Sequence, residues 1–271
     1  MNRKLAWALA TLCFAVLFVP GLFAPEHLSP PDMANAYLGF SSAPPFGADA
    51  SGRPLSEYAM QGARVVALPA LLAGLLVVFL GTLGGLLACT GSQRAEAAAQ
   101  GFGEVVGALP RMVVVLVVAL LVPKDARSLL PIALTWAVLA APGAMDEAAA
   151  VASRLGGARF VEALRAHGFS RARIYLIHIV GMNLRPVLMR QGVETMMQVV
   201  FLEIGLSYLA VQDSQPSFTH GDSEKSWADL LYFGYQAFLD IPSSHGLFLG
   251  LALVGVVALM SVFVTQAVRA R

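Results

Sequence analysis

The chain has 271 residues, of which 57% are hydrophobic and only 13% charged, and its mean hydropathy is +0.69. This composition excludes an ordinary soluble domain and predicts an all-α, polytopic membrane protein. A net charge of +1 gives no basis for a nucleic-acid partner, and Cys13 and Cys89, both inside apolar runs, argue against a disulfide framework, a thiol catalyst or a cysteine metal cluster.

A membrane-spanning helix needs roughly 20 mostly apolar residues. Six stretches are candidates: Leu5–Phe23, Val65–Cys89, Val105–Val122, Leu129–Pro142, Val187–Ala210 and Leu247–Val268. The fourth is short and bounded by Pro131 and Pro142. Arg3 and Lys4 before the first run also fit a signal peptide, but the run continues to Pro20-Gly21-Leu22-Phe23 with no small-x-small site closing it, so residues 1–23 read as an anchor helix. Residues 24–62, rich in Pro, Ser, Gly and Asp, read as an irregular extracytoplasmic loop. Residues 63–271 then form the transmembrane domain, with a cytoplasmic loop over 143–186.

Lysine and arginine placement sets the expected orientation. Five of the 18 fall on one side (Arg53, Arg64, Lys124, Arg127 and Lys225), and thirteen, from Arg3 and Lys4 through Arg154–Arg190 to Arg269 and Arg271, on the other. Both termini are therefore expected in the cytoplasm. Val105–Pro142 reads as a helical hairpin turning at Pro123-Lys124-Asp125. In the last outer loop, Trp227, Tyr232 and Tyr235 are expected at headgroup depth on an interfacial helix. Gly81 and Gly85, Gly103 and Gly107, and Gly246 and Gly250 have the spacing of close helix contacts.

The most informative stretch is Arg159–Pro186. An amphipathic segment, Arg159-Phe-Val161-Glu162-Ala163-Leu164-Arg165, meets a helix-stopping Gly168, and Ser170 starts a second helix. No phosphate-binding G-x-x-x-x-G-K-[ST], G-x-S-x-G or H-E-x-x-H motif occurs. His220 and Asp222 lack a convincing third metal ligand. Glu203, an ionisable group within an apolar run, is expected either to accept hydrogen bonds from a neighbouring element or to line a solute path, and Glu194 is a weaker case.

Three segments resemble the C-type inner-membrane permease subunits of the dipeptide, oligopeptide and nickel group of ATP-binding cassette importers. Phe46-Gly47-Ala48-Asp49-Ala-Ser-Gly52-Arg53 through Gly62-Ala63-Arg64 is similar to the family's L-G-T-D-x-x-G-R-D-x-L-S…G-A-R. Val161-Glu162-Ala163-Leu164-Arg165-Ala-His167-Gly168-Phe-Ser170, with Ile174 and His178, is similar to its E-A-A…G loop and trailing I…R-H-I-L-P-N. Glu203-Ile-Gly-Leu206-Ser207-Tyr208-Leu209 through Ser226-Trp227-Ala228-Asp229-Leu230-Leu231 is similar to E-x-x-L-S-F-L-G and S-W-G-x-M-L. Leu164 stands at the second alanine, Gly181 at the proline, and Asp146 and Glu147 where the family tends to carry arginines.

The resemblance implies a type I importer permease fold with about six transmembrane helices in the inner (plasma) membrane. It implies that Val161, Glu162, Ala163, Leu164, Arg165, Gly168 and Ser170 form a coupling helix fitting a cytoplasmic ATPase. It also implies that Asp49, Gly52, Arg53, Arg64 and Trp227 meet a substrate-binding protein or a partner permease, although Asp49, Arg53 and Arg64 fit an internal loop network equally well. The implied partners are two ATPase subunits, which carry the ATP and Mg, a second homologous permease, an extracytoplasmic substrate-binding protein and membrane lipid. This chain itself is expected to bind no cofactor or metal and to catalyse nothing. A degenerate permease-like scaffold without transport is the main alternative; an integral-membrane enzyme or ion-coupled carrier would need clustered catalytic groups or paired broken helices.

Overall fold

The computed structural model describes residues 2–41, 45–90, 93–123, 127–156, 159–170, 173–212, 217–220, 224–240 and 245–269. Lys124, Asp125, Arg171, Asp222 and Arg271, invoked above, lie outside the described residues. Among those described, the regular structure is helical, apart from an isolated bridge between Ala48 and Pro54.

Asn2 caps α1 (Arg3–Leu22) by accepting the Lys4 N–H at 3.3 Å. Helix α2 (Leu55–Gly62) runs through a widened π turn (Ala63–Ala67) into α3 (Leu68–Thr90). There follow α4 (Gln93–Gly107), α5 (Arg111–Leu121), α6 (Leu129–Gly156) and the short α7 (Arg159–Ala166). A π segment (Ile174–Leu184) leads into α8 (Arg185–Gln212), and α9 (Trp227–Asp240) and α10 (His245–Arg269) complete the bundle. Each π segment ends two residues before a proline, Pro69 or Pro186. A proline withholds an N–H from the carbonyl four residues back and crowds it, and the wider turn absorbs that mismatch.

Five helical stretches are long and apolar enough to cross a membrane, or six if α4 and α5 count as one broken span. The expected third span is not continuous: its two arms, Ala97–Gly107 and Arg111–Leu121, meet at 78°. Pro110 is the N-cap of α5, and the residue before a proline is pushed out of the helical region, so the ladder breaks there. The fourth expected span is longer than its prolines suggest, since α6 runs through Pro142 to Gly156 and makes much of the expected 143–186 loop helical. Likewise, the last eight residues of the expected 24–62 loop are helix α2.

Contacts fix the direction of each helix. Leu68 and Leu72 share a cleft with Leu129 and Leu130, while Gly81 and Gly84 meet Ala144 and Met145. Helices α3 and α6 are therefore parallel, and the bent α4–α5 pair returns the chain between them. Helix α8 is antiparallel to α3, with Leu184 beside Gly85, Leu188 beside Gly81 and Gly192 beside Gly74. Gly21 packs on Ala63, and the Arg185 guanidinium lies 5.7 Å from the Trp7 ring centroid. Gly246, at the start of α10, lies near Leu55. One end of the bundle thus carries the start of α1, the end of α10 and α7; the other carries the described part of the 24–54 loop and α9.

The centre of the bundle is α3, buried against α6 and α8. A Cβ on Gly74 would lie 2.6 Å from the Gly192 carbonyl oxygen, and one on Gly84 2.5 Å from the Met145 Cβ. Gly81, Gly85, Gly246 and Gly250 also sit at helix contacts and Gly103 faces Pro142 of α6, but the expectation does not hold for Gly107. A Cβ on Gly107 would meet nothing within 4 Å, because the break after α4 turns that face away from its neighbours. Gly74→Ala is expected to destabilise the bundle by about 1–3 kcal/mol through overpacking. Gly107→Ala is expected to leave stability unchanged or slightly raised, because alanine favours the helix. Thermal unfolding in detergent distinguishes the two.

Candidate functional site

At the α7 end, Val161 is buried and anchors α7 to the bundle, whereas Glu162, Ala163 and Arg165 are exposed and Leu164 is half-buried. The helix stops in a complete Schellman arrangement. The Phe169 N–H donates to the Leu164 carbonyl at 3.1 Å and the Gly168 N–H to the Arg165 carbonyl at 2.9 Å, with Gly168 at φ +79°. Ser170 begins the next helical run as expected: its Oγ accepts the Arg173 N–H at 3.3 Å and its carbonyl the Ile174 N–H at 3.0 Å. Phe169 is held between the Arg173 guanidinium, 5.0 Å from its centroid, and the His178 ring at 6.2 Å. The result is a firmly terminated helix with an open polar face.

Close to α7, Glu147 on α6 accepts from Arg190 Nη2 at 2.6 Å and also from Gln191 Nε2 on α8. The acidic departure at position 147 therefore has an internal partner. Asp146 is exposed beside a cavity of about 180 Å³ between α3, α4 and α6.

At the other end, Asp49 organises the entry loop. Its Oδ1 accepts from the Ser51 N–H, the Ser51 hydroxyl and the Arg53 N–H, each at 2.8 Å, and its Oδ2 accepts from the Tyr58 hydroxyl at 2.7 Å. Gly52, at φ +78°, completes the turn where a Cβ would lie 1.7 Å from the Asp32 carbonyl oxygen. Asp49 thus makes the kind of contacts that the loop-network alternative drawn for Asp49, Arg53 and Arg64 calls for. Arg64 pairs with Glu224 at 3.2 Å. Trp227 requires a correction: rather than lying among headgroups, it is fully buried, packs on Gly62 and donates its Nε1–H to the Ala59 carbonyl at 3.1 Å. The absence of a side chain at Gly62 makes room for the indole, so Trp227 offers no surface to a partner. Phe233, Tyr235 and Phe238 are the exposed aromatics of α9.

Glu203 is fully buried on α8 and begins a chain of polar contacts. The Ser207 hydroxyl donates to Glu203 Oε1 at 3.0 Å and lies 3.0 Å from Thr219 Oγ1, which is 3.1 Å from His220 Nδ1. His220 Nε2 reaches Asp229 Oδ2 at 3.2 Å. The Ser226 hydroxyl lies near the Glu203 carboxyl, while Oε2 has no partner of hydrogen-bond geometry among the described residues. This chain of contacts supports the structural alternative for Glu203. Thr219 and the His220–Asp229 pair had not been singled out as partners of Glu203, although Ser226-x-x-Asp229 carries the capping-box pattern. The box is complete: Ser226 Oγ accepts the Ala228 N–H at 3.1 Å, and Asp229 Oδ2 accepts the Ser226 N–H at 2.8 Å. Among the described residues, no three His, Cys, Asp or Glu converge as metal ligands.

No family model matches the chain, and no curated protein matches it.

Burial would raise the Asp229 carboxyl, but the hydrogen bond and charge of His220, the Lys225 charge and the Ser226 N–H outweigh it and hold the group below its ordinary value. A depressed folded-state value contributes stability that is complete above the unfolded value of about 3.9 and is lost as pH falls through the folded value. The stability difference between wild type and Asp229→Asn should therefore shrink as pH falls below about 4. Thermal unfolding across pH measures it.

Proposed function

We propose that this chain is the permease subunit of an ATP-binding cassette importer in the inner (plasma) membrane, with α7 and both termini in the cytoplasm. The observation that carries this reading is the exposed, Schellman-capped α7 helix, projecting from the bundle end where thirteen of the 18 Lys and Arg residues are expected to collect. The three-segment resemblance and the span count of five or six support it.

The mechanism follows from what flanks α7. Helix α6 leads into it and α8 follows it, and among the described residues these are the helices that pack most extensively on α3. A displacement of α7 by closure of an ATPase dimer would load α6 through its C-terminus and α8 through the Phe169 contacts and the π segment. A packed bundle answers such a load by switching between discrete arrangements rather than by deforming continuously. Glu162 and Arg165 supply polar contacts at the rim of the partner's groove, and Ala163 permits close approach.

ATP and Mg belong on the ATPase subunits, so the chain is mechanical and not an enzyme. A second, homologous permease would complete the pathway, and a substrate-binding protein would deliver solute at the loop end. Small peptides are the leading solute class, ahead of nickel complexes and other small solutes.

Affinity purification of the tagged chain in mild detergent is expected to recover ATPase subunits and a second permease with vanadate-sensitive turnover. Glu162→Arg and Gly168→Val are each expected to lower ATPase recovery about tenfold or more, the first because a reversed charge at the rim opposes the partner's, the second because the φ +79° stop of α7 does not admit a β-branched residue. Glu104→Lys, at an exposed position on α4, should leave recovery unchanged. Recovery of the wild-type chain alone would overturn the reading.

A further inference from the structure

A cavity of about 340 Å³ opens at the loop end between the 48–58 turn and α9. That volume lies at the lower end of the range for small-molecule sites. Much of its wall is apolar, including Leu55, Leu230 and Phe233, and two cations, Arg53 and Lys225, also line it.

The hydrogen-bonding capacity of this wall is unbalanced. Of the two carboxylates that line it, Asp49 already accepts from Ser51, Arg53 N–H and Tyr58, while Asp229 Oδ2 accepts from Ser226 N–H and faces His220 Nε2. The cations are less committed. Arg53 lies beside the Tyr58 hydroxyl and forms no ion pair within 4 Å among the described residues. Lys225 Nζ rests 5.6 Å from the Phe233 ring centroid and acts on Asp229 through its charge, but forms no ion pair within 4 Å among them.

Both cations stand on fixed backbone. The Arg53 N–H and carbonyl are each bonded to Asp49, and the Lys225 N–H donates to Oε1 of the buried Gln61 at 3.0 Å. Gln61 in turn donates to the Pro25 carbonyl at 3.1 Å. A site whose donors are held in place before binding loses less entropy when a ligand enters.

We infer that this cavity binds a small anionic molecule with an apolar body, its carboxylate taken by Arg53 and Lys225 and its body lying against Leu55, Leu230 and Phe233. Charge-assisted hydrogen bonds to the carboxylate supply the selectivity, and the apolar wall supplies burial. The site lies within this one chain and does not depend on the proposed ATPase partners.

Equilibrium dialysis of the purified full-length chain in non-ionic detergent tests this with two probes, N-acetylphenylalanine and its uncharged amide. The acid is expected to bind about tenfold or more tightly than the amide, the scale of one charge-assisted hydrogen bond. Arg53→Gln and Lys225→Met should each weaken the acid by a similar factor and leave the amide unchanged, with thermal unfolding confirming that each variant is folded. Equal binding of acid and amide, no saturable binding of the acid, or wild-type affinity for the acid in both folded variants would overturn the assignment. Native mass spectrometry distinguishes a lipid source. Phosphatidylglycerol retained by wild type, lost from both variants and not displaced by the acid would make the occupant a lipid headgroup and overturn the free-solute assignment.

Discussion

Where α8 crosses α3, Gly192 and Gly74 bring the two backbones too close for a Cβ on Gly74 to fit without movement. Lipid tails are as apolar as leucine, so burial of apolar side chains gives helices little reason to associate inside a membrane; close packing and interhelical hydrogen bonds must do it. Small residues make that packing possible on two sides of α3: Gly74 and Gly81 meet α8, while Gly81 and Gly84 meet Ala144 and Met145 of α6. The two helices that flank α7 are thereby tied to the same central element. Helices α1 and α10 are peripheral by comparison, with 17% and 22% of their most apolar stretches buried.

The two ends of this framework are held differently. At the loop end, Trp227 to Ala59, Gln61 to Lys225 and Arg64 to Glu224 join α2 and its π turn to the start of α9. The Glu203–Ser207–Thr219–His220–Asp229 chain joins α8 to α9. Buried polar groups of this kind are costly when unpartnered, so their partners specify one arrangement of the loop end. At the other end, α7 is held by Val161, by the stacking around Phe169 and by the connection to α6.

The features legible in the sequence are those set by local chemistry. Gly168 and Ser170 end one helix and begin the next because a left-handed C′ residue and an N-cap hydroxyl have few substitutes. Features decided by neighbours were less legible. Pro142 reads as a terminus, yet α6 continues because tertiary contacts on both sides of that residue hold the helix. Trp227 reads as an interfacial aromatic from its position after a polar loop, but the space above Gly62 and the Ala59 carbonyl together capture the ring. Gly74 and Gly192 lie 118 positions apart in the sequence, and no spacing rule within one helix can pair them.

The Glu147–Arg190 contact shows how a half-exposed charge pair can bear on the packing of a bundle. Both side chains are 36% exposed, so solvent screening holds the pair to about 1 kcal/mol or less. Its geometric effect is larger than that energy suggests. Arg190 and Gln191 approach one carboxylate from adjacent positions on α8, and that convergence favours one rotation of α8 about its axis relative to α6. The same rotation places Gly192 against Gly74 on α3. A charge pair that contributes little to stability thus agrees with the register that the close backbone contact requires, and such agreement between local and global preferences is what gives a sequence one structure.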